Sequence, residues 1–558
     1  MPEPVTGHEG SGSTVAEVVG RVLARLGLRQ VFGVVGSGNY VVTATLIREG
    51  ARYVAARHES GAGMMADAYA RVSGEVTALS LHQGCGLTNA LTAVTEAAKS
   101  RTPMLVLTGE TPPTARTSNF WIDQEATLAG LGVQVERVHS AGTAVLDTVR
   151  AFRKARDGRQ TVVLNLPLDV QEQPLDLDDH APLPLAFDVI TDGASERGAA
   201  LVADLLGRAR RPVIVGGRGA LGAAQELAAL AEASGALLTT SAVARGLFEG
   251  DPWYLDVMGG FATPLAAELI ADADVLVAFG AGLNRWTSRS GRLLKDSTVV
   301  VVDTDPAAIG FHHAPDHAVV GDAAAVAAEA TKLLARSQGQ GYRTEEVRAR
   351  IAQEGRWRQV PYEDTGTDEL IDPRTLSIAL DDILPAQRVV VPDGGNFNGY
   401  PSMFLTVPDA KGFVLPLAFQ SIGLSLGAAI GAALALPDRV AVAGVGDGGL
   451  MMSLTELDTA VRLRLPLVVL VYNDDAYGAE VHHFEDDHQA LGTVVFPPTD
   501  IAAIARGFGC EAVTVRSSAD LEGVRAWVDG PRERPLVIDA KITSFPSWVL
   551  AHTFEGEK

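Results

Sequence analysis

The chain is short of cysteine, of basic residues and of long apolar runs, and each shortage excludes something. Cys85 and Cys510 are the only cysteines in 558 residues. That leaves no disulfide framework and no cysteine metal site, and it fits a reducing cytoplasm. No apolar stretch reaches the ~20 residues of a membrane helix. The amino end, up to Thr14, is polar and rich in Gly and Ser. It lacks the apolar core of a signal peptide and reads as a flexible lead-in. Basic residues number 46 against 68 acidic ones, a net charge of −22. This deficit speaks against nucleic acid or an anionic membrane as a partner. A hydrophobic content of 47% with 20% charged residues suits large, well-packed α/β domains. The length allows about three or four of them.

Three blocks alternate helical periodicity with short apolar runs, the pattern of parallel sheets covered on both faces. The first spans residues 14–173, with strands expected at Gln30–Gly33, Tyr53–Ala56, Val76–Leu81, Met104–Thr108 and Thr161–Asn165. A Pro/Asp-rich linker, Pro174–Gly193, precedes the second block at residues 194–334. There Gly217-Arg-Gly-Ala-Leu-Gly222 follows a strand as a G-x-G-x-x-G match. No acidic residue ends the next strand to hold a ribose, so the turn reads as either a dinucleotide site or a tight strand-to-helix connection. Ala335–Asp368 reads as a second linker with a helix around Glu345–Trp357. The third block covers residues 373–543, and residues 544–558 form a tail that could order over a site.

The third block carries the most informative motif, Gly446-Asp447-Gly448-Gly449. It follows the buried run Val440–Gly444 and precedes a helical stretch, Leu454–Arg464, and a second buried run, Pro466–Tyr472, that ends at Asn473. Strand, Gly-rich turn, helix and strand make a βαβ unit. Asp447 and Asn473 then lie at the carboxyl ends of neighbouring strands, the edge where open α/β sheets bind ligands. The glycines allow backbone to approach a diphosphate, and a helix amino end favours its charge. Asp447 and Asn473 offer two hard oxygen ligands for magnesium, with a backbone carbonyl near Asp475 as a third. The pattern resembles the signature of thiamine diphosphate enzymes.

The resemblance extends over residues 14–543. The order of a strand-end Glu59 in Arg57-His58-Glu59, then Gly84-Cys-Gly-Leu-Thr-Asn89, then Arg101-Thr-Pro-Met104, then the Gly-Asp-Gly motif looks like the acetolactate synthase and pyruvate decarboxylase superfamily. Arg211–Gly217 and Val302–Gly310 resemble its central domain. The resemblance implies three doubly wound α/β domains that are pyrimidine-binding, central and diphosphate-binding. It implies sites shared between subunits, hence at least a homodimer and, as expected here, a homotetramer. Glu59 would hydrogen-bond the pyrimidine ring of thiamine diphosphate from a poorly hydrated pocket. Ile422 in Gln420-Ser-Ile-Gly423 would be the apolar wedge under the bent cofactor, and the Gln420 carbonyl would accept from its exocyclic amine. Asn89, Asn396, Gly446, Asp447, Gly448, Gly449, Asn473, Tyr477 and Gly478 complete the cofactor contacts so implied. Phe397 stands where acetolactate synthases have a polar residue.

Several departures bear on the reaction. Gly84-Cys85-Gly86 replaces Gly-Pro-Gly, Pro167-Leu168-Asp169 lacks a lysine usual near the flavin, and Ile422 replaces a methionine; FAD is therefore not expected. Leu81-His82 resembles benzoylformate decarboxylase, in which a histidine here serves proton transfer. Asn473–Glu480 resembles the segment of pyruvate and indolepyruvate decarboxylases whose glutamate handles protons. His titrates near neutrality, so His82 with Glu480 makes chemical sense beside a carbon that has lost carbon dioxide. His483 aligns with an active-site aromatic position and Gln124 with a Phe-Gln-Glu segment of the family. The expected reaction is non-oxidative cleavage of a 2-keto acid donor followed by ligation to a second carbonyl compound. Simple decarboxylation to an aldehyde is the alternative.

Overall fold

The computed structural model describes residues 12–185, 195–334, 341–484 and 491–549. Most of the lead-in, parts of both linkers and the end of the tail lie outside the described residues. Seventeen parallel strands form three sheets among the described residues. The first sheet has the order β2-β1-β3-β4-β6-β5. Its strands are β1 Gln30–Gly33, β2 Arg52–Ala55, β3 Thr77–Leu81, β4 Met104–Glu110, β5 Gln134–Arg137 and β6 Thr161–Pro167. The second runs β12-β11-β10-β7-β8-β9. It comprises β7 Pro212–Gly216, β8 Leu237–Thr240, β9 Tyr254–Val257, β10 Val275–Phe279, β11 Thr298–Asp303 and β12 His317–Val320. The third runs β13-β14-β15-β17-β16, from β13 Arg388–Pro392, β14 Val440–Gly446, β15 Leu467–Asn473, β16 Glu511–Val515 and β17 Leu536–Lys541. Central strands such as β4, β6, β14 and β15 are buried throughout, as helices on both faces require. No helix among the described residues is long and apolar enough to cross a membrane.

The chain divides into two compact units. One takes the first sheet together with two pieces of the third block, which contribute helix Ser425–Ala435 and helix Glu456–Arg462; the other takes the second and third sheets. In the first unit, helix Ser425–Ala435 packs against helix Glu59–Ser73 through glycine. A Cβ at Gly431 would stand 2.1 Å from the Met65 carbonyl oxygen, and one at Gly427 would stand 2.9 Å from that of Gly61. Both obstacles are backbone, so only glycine lets the helices approach this closely.

In the second unit the G-x-G-x-x-G turn has a packing explanation. The Gly217 N–H donates to the Phe279 carbonyl (2.9 Å) and the Gly219 N–H to the Gly280 carbonyl (3.1 Å). A Cβ on Gly217 would sit 2.2 Å from that Gly280 oxygen. The order of this sheet reverses between β7 and β10, where such folds usually open a ligand crevice. Here backbone meets backbone instead, and those amides already have acceptors.

The structure departs from the sequence reading in detail. The stretch Leu454–Arg464 carries one helix, Glu456–Arg462, and a further helix that the sequence reading did not expect, Asp447–Ser453, precedes it and starts at the aspartate of the Gly-Asp-Gly motif. Helix Glu345–Glu354 stops short of Trp357, which opens a 3₁₀ turn. Gly431→Val is expected to cost about 3 kcal/mol by overpacking. A thermal unfolding midpoint clearly below that of the unchanged protein would show it.

Candidate active site

In the first unit the turn after β2 delivers Glu59 as the first residue of its helix. The turn is held by Glu456, which is 1% exposed. Its carboxylate accepts from the backbone N–H of Arg57 (3.1 Å) and of His58 (2.9 Å), and from the Thr459 hydroxyl (2.7 Å). Burial raises the Glu456 pKa and these donors oppose the shift. Arg57 adds an ion pair to Asp458 at 2.6 Å, and Arg462 donates to the Ala55 carbonyl at 2.7 Å. Gly61 is required beneath this clamp, because its Cβ would lie 2.5 Å from Glu456 Oε1.

Glu59 itself is half-buried. Asn89 Nδ2 donates to Glu59 Oε2 at 3.1 Å, and among the described residues Oε1 has no hydrogen-bond donor. His82, half-buried at the end of β3, places Nδ1 3.0 Å from the Gln83 carbonyl. A carbonyl only accepts, so Nδ1 carries the proton and Nε2 is the nitrogen left to exchange one. Nε2 lies 3.4 Å from the Ser37 hydroxyl, and the ring packs on Phe120 with centroids 4.9 Å apart. Gln124 is buried behind this turn. Its Oε1 accepts from the Gly84 N–H (3.1 Å), and its Nε2 donates to the Gly109 carbonyl (3.2 Å) and Asn165 Oδ1 (2.9 Å). Every polar atom of that amide is engaged, so Gln124 braces the glycine turn and does not present a free group.

Segment 416–424 enters the same unit by a similar device. Glu96, fully buried, accepts from the Phe419 N–H at 2.7 Å. Gln420 follows in the left-handed region, φ 60°, a conformation that a non-glycine residue holds only under constraint. Ile422 is partly exposed, not a core isoleucine.

In the second unit, Gly446 and Tyr472 are register partners on β14 and β15, which sets Asp447 and Asn473 side by side. Asp447 is 8% exposed and its Oδ1 is buried without a partner. Burial, then the charge of Asp474, push its pKa up to about 7, and burial pushes Asp474 up to about 6. A cation would relieve carboxylates so placed, and the donor set of Asp447 Oδ1, Asn473 Oδ1 and backbone carbonyls suits magnesium. Asp539, fully buried, accepts from Asn473 Nδ2 at 2.8 Å, which turns the amide oxygen away from Asp539. That oxygen meets the Asp475 N–H at 3.1 Å. The Asp475 carbonyl accepts from the Phe496 N–H at 2.8 Å and keeps a second lone pair. No group of three His, Cys, Asp or Glu side chains that could hold a metal occurs among the described residues.

The glycines here answer to side chains as well as to a phosphate. A Cβ at Gly446 or Gly395 would meet the Phe397 ring (2.9 and 2.8 Å), at Gly448 the Tyr477 ring (2.4 Å), and at Gly478 the Asp474 carboxylate (2.3 Å). Gly449 is buried in the first turn of its helix. Phe397 is buried and stacks on Tyr472. Asn396 is held by the tail: its Nδ2 donates to the Phe545 carbonyl and its Oδ1 accepts from the Ser547 N–H, both at 2.8 Å. Glu480 and His483 are exposed on helix Gly478–His483. The sequence reading missed the chain from Asp474 through Ser544 to His482. The Ser544 hydroxyl lies 3.3 Å from Asp474 Oδ2 and 3.2 Å from His482 Nε2. Asp474, next to Asn473, could have been suspected; Ser544, in the tail, gave no signal.

Removing the clamp leaves two backbone donors of this turn without their acceptor, at about 1 kcal/mol each. Glu456→Ala is therefore expected to lower the thermal midpoint and to raise amide hydrogen exchange at Arg57 and His58.

Comparison with known proteins agrees with this geometry. Residues 13–128, 199–330 and 393–540 match the N-terminal, central and C-terminal domains described for thiamine pyrophosphate enzymes, the first and last being TPP-binding domains. A sulfoacetaldehyde acetyltransferase of Rhodobacter capsulatus is 29% identical over 95% of this chain and 94% of its own length. A probable 2-ketoarginine decarboxylase of Pseudomonas aeruginosa is 30% identical over 91% and 90%. An acetolactate synthase large subunit of Parasynechococcus marenigrum is 28% identical over 88% and 82%. With Glu59 at one sheet edge, Asp447 and Asn473 at another, and all three domains matched in order, the chain belongs to the thiamine pyrophosphate enzyme family, in the acetolactate synthase and decarboxylase group.

Proposed function

We propose that the protein is a magnesium-dependent thiamine diphosphate enzyme that cleaves a 2-keto acid without oxidation and joins the remaining carbon to a second carbonyl compound. The observation that carries the reading is Glu59, anchored at Oε2 by Asn89 and open at Oε1. A carboxylate held by one oxygen can direct the other to a pyrimidine nitrogen without losing its position. The cofactor supplies a nucleophilic carbon and a sink for the electron pair released when carbon dioxide departs. Asp447, Asn473 and the Asp475 carbonyl would hold magnesium, with Asn396, Tyr477 and the glycines around the diphosphate. Gln420 and Ile422 would orient the rings. By the family resemblance the two halves of each site come from different subunits, so a homodimer is the least assembly and a homotetramer the one proposed.

Ligation is supported by the group-transfer and ligation names of two relatives, the acetyltransferase and the acetolactate synthase. His82 favours the second reading, simple decarboxylation. Its Nε2 would supply the proton that takes the place of the lost carboxyl group on the way to a released aldehyde, and the 2-ketoarginine decarboxylase relative agrees with that outcome. Glu480, on the helix that follows the metal loop, is a further proton donor in this reading.

Glu59→Gln should retain cofactor, measured by quenching of protein fluorescence, and lose turnover about a hundredfold or more; unchanged turnover removes Glu59 from the mechanism. Carbon dioxide release over a panel of 2-keto acids, with thiamine diphosphate and magnesium, separates the two readings by aldehyde against ligated product. No release from any of them defeats both readings and points to lyase chemistry on another carbonyl substrate.

A further inference from the structure

Phe120 lies between β4 and helix Gln124–Ala129, and it is 45% exposed. An exposed apolar ring on a loose loop would mean little. The main chain around this one is tied down. The Phe120 N–H donates to the Ser118 hydroxyl (3.3 Å) and the Trp121 N–H to the Ser118 carbonyl (3.0 Å). The Phe120 carbonyl presses on Gly84, whose φ of 64° favours glycine. A Cβ on Gly84 would stand 2.3 Å from that oxygen. Gln124, four residues on, accepts from the Gly84 N–H. The loop and the glycine turn are therefore locked together, and the place of Phe120 is set by backbone.

That place is beside His82, at 4.9 Å between ring centroids. The imidazole also abuts Gly36, where a Cβ would lie 2.3 Å from Cδ2. One glycine joins this group to Glu59: a Cβ on Gly86 would be 3.1 Å from His82 Cβ and 3.8 Å from Glu59 Oε1, the oxygen left open. Glu59 Oε1, His82 and Phe120 thus line one face of the first unit. A carbon that reacts beside Glu59 and His82 has the Phe120 ring as its neighbour, and a substituent a few bonds long on that carbon reaches the ring.

We propose that Phe120 determines donor specificity, and that the donor is a 2-keto acid whose substituent is apolar and larger than methyl. The inference rests on the reading that a 2-keto acid reacts beside Glu59 and His82. A methyl group falls short of the ring. An isobutyl group covers its exposed face, and each methylene so buried contributes about fourfold. A charged substituent would give up water there and gain no hydrogen bond from the ring.

The test uses the enzyme loaded with thiamine diphosphate and magnesium. Its kcat/KM for 4-methyl-2-oxopentanoate should exceed those for pyruvate and 2-oxoglutarate by about tenfold or more. In Phe120→Ala the ratio to pyruvate should fall about tenfold, and Phe120→Leu should restore most of it. A merely structural role would lower all donors alike and leave the ratio in place. A second readout needs no turnover. Holoenzyme grown with 4-fluorophenylalanine has one fluorine resonance that Phe120→Leu removes. 4-Methylpentanoate, which has no keto group to react, should shift that resonance, and acetate should not. An unchanged ratio in Phe120→Ala, a preference for pyruvate or 2-oxoglutarate, or a resonance that ignores 4-methylpentanoate would each overturn the proposal. A shifted resonance without carbon dioxide release from any donor removes the assigned reaction and leaves Phe120 as the wall of an apolar acid site.

Discussion

Two buried glutamates, Glu456 and Glu96, fix the half-site around Glu59, and what they grip is backbone. Glu456 accepts amides of Arg57 and His58, and Glu96 accepts the amide of Phe419. A buried carboxylate without donors is strongly unfavourable, and a buried amide without an acceptor nearly so. Each glutamate removes both penalties at once. The consequence is positional: Glu59 starts its helix one residue after His58, and Gln420 follows Phe419. The two residues proposed to meet the cofactor's pyrimidine are each fixed through a neighbour's main chain, and each side chain is steadied by one further hydrogen bond, Glu59 Oε2 accepting from Asn89 and Gln420 Nε2 donating to the Leu417 carbonyl.

The proposed diphosphate half-site is built on the opposite principle. There the acids are left short of donors. Asp447 has an orphaned oxygen, Asp474 is a half-buried neighbour whose charge acts on it, and both are pushed toward neutrality. Such a cluster stores unfavourable electrostatic energy that a divalent cation would convert into binding. Asp539 keeps the Asn473 amide from turning its nitrogen inward.

Much of this was legible in the sequence. Buried central strands announce themselves as apolar runs, and the Gly-Asp-Gly motif with Asn473 marked the sheet edge at which β14 and β15 set Asp447 and Asn473 side by side. The edge strands β5, β9 and β12 were not legible, since Gln-Val-Glu-Arg, Tyr-Leu-Asp-Val and His-Ala-Val-Val face neighbours on one side only and carry polar residues. The helix start at Asp447 was hidden because Gly-Gly is a poor helix former and packing overrides it. Glu456 was invisible for a different reason: its partners are amides 398 and 399 residues away, and an amide has no letter in the sequence. Gln124 is the converse case, a polar residue in a suggestive segment whose amide bonds to Gly84, Gly109 and Asn165.

The glycine seam of the central sheet bears on how this domain could change. Gly217 and Gly219 touch Gly280 main chain to main chain, at the one place where the sheet order reverses. No exchange of side chains can reopen that crevice, because no side chain closes it. Placing a side chain on either glycine would take added loop length after β10, to lift Gly280 and Ala281 off the turn. In evolutionary terms the three glycines are tied together, each holding the others to the smallest residue.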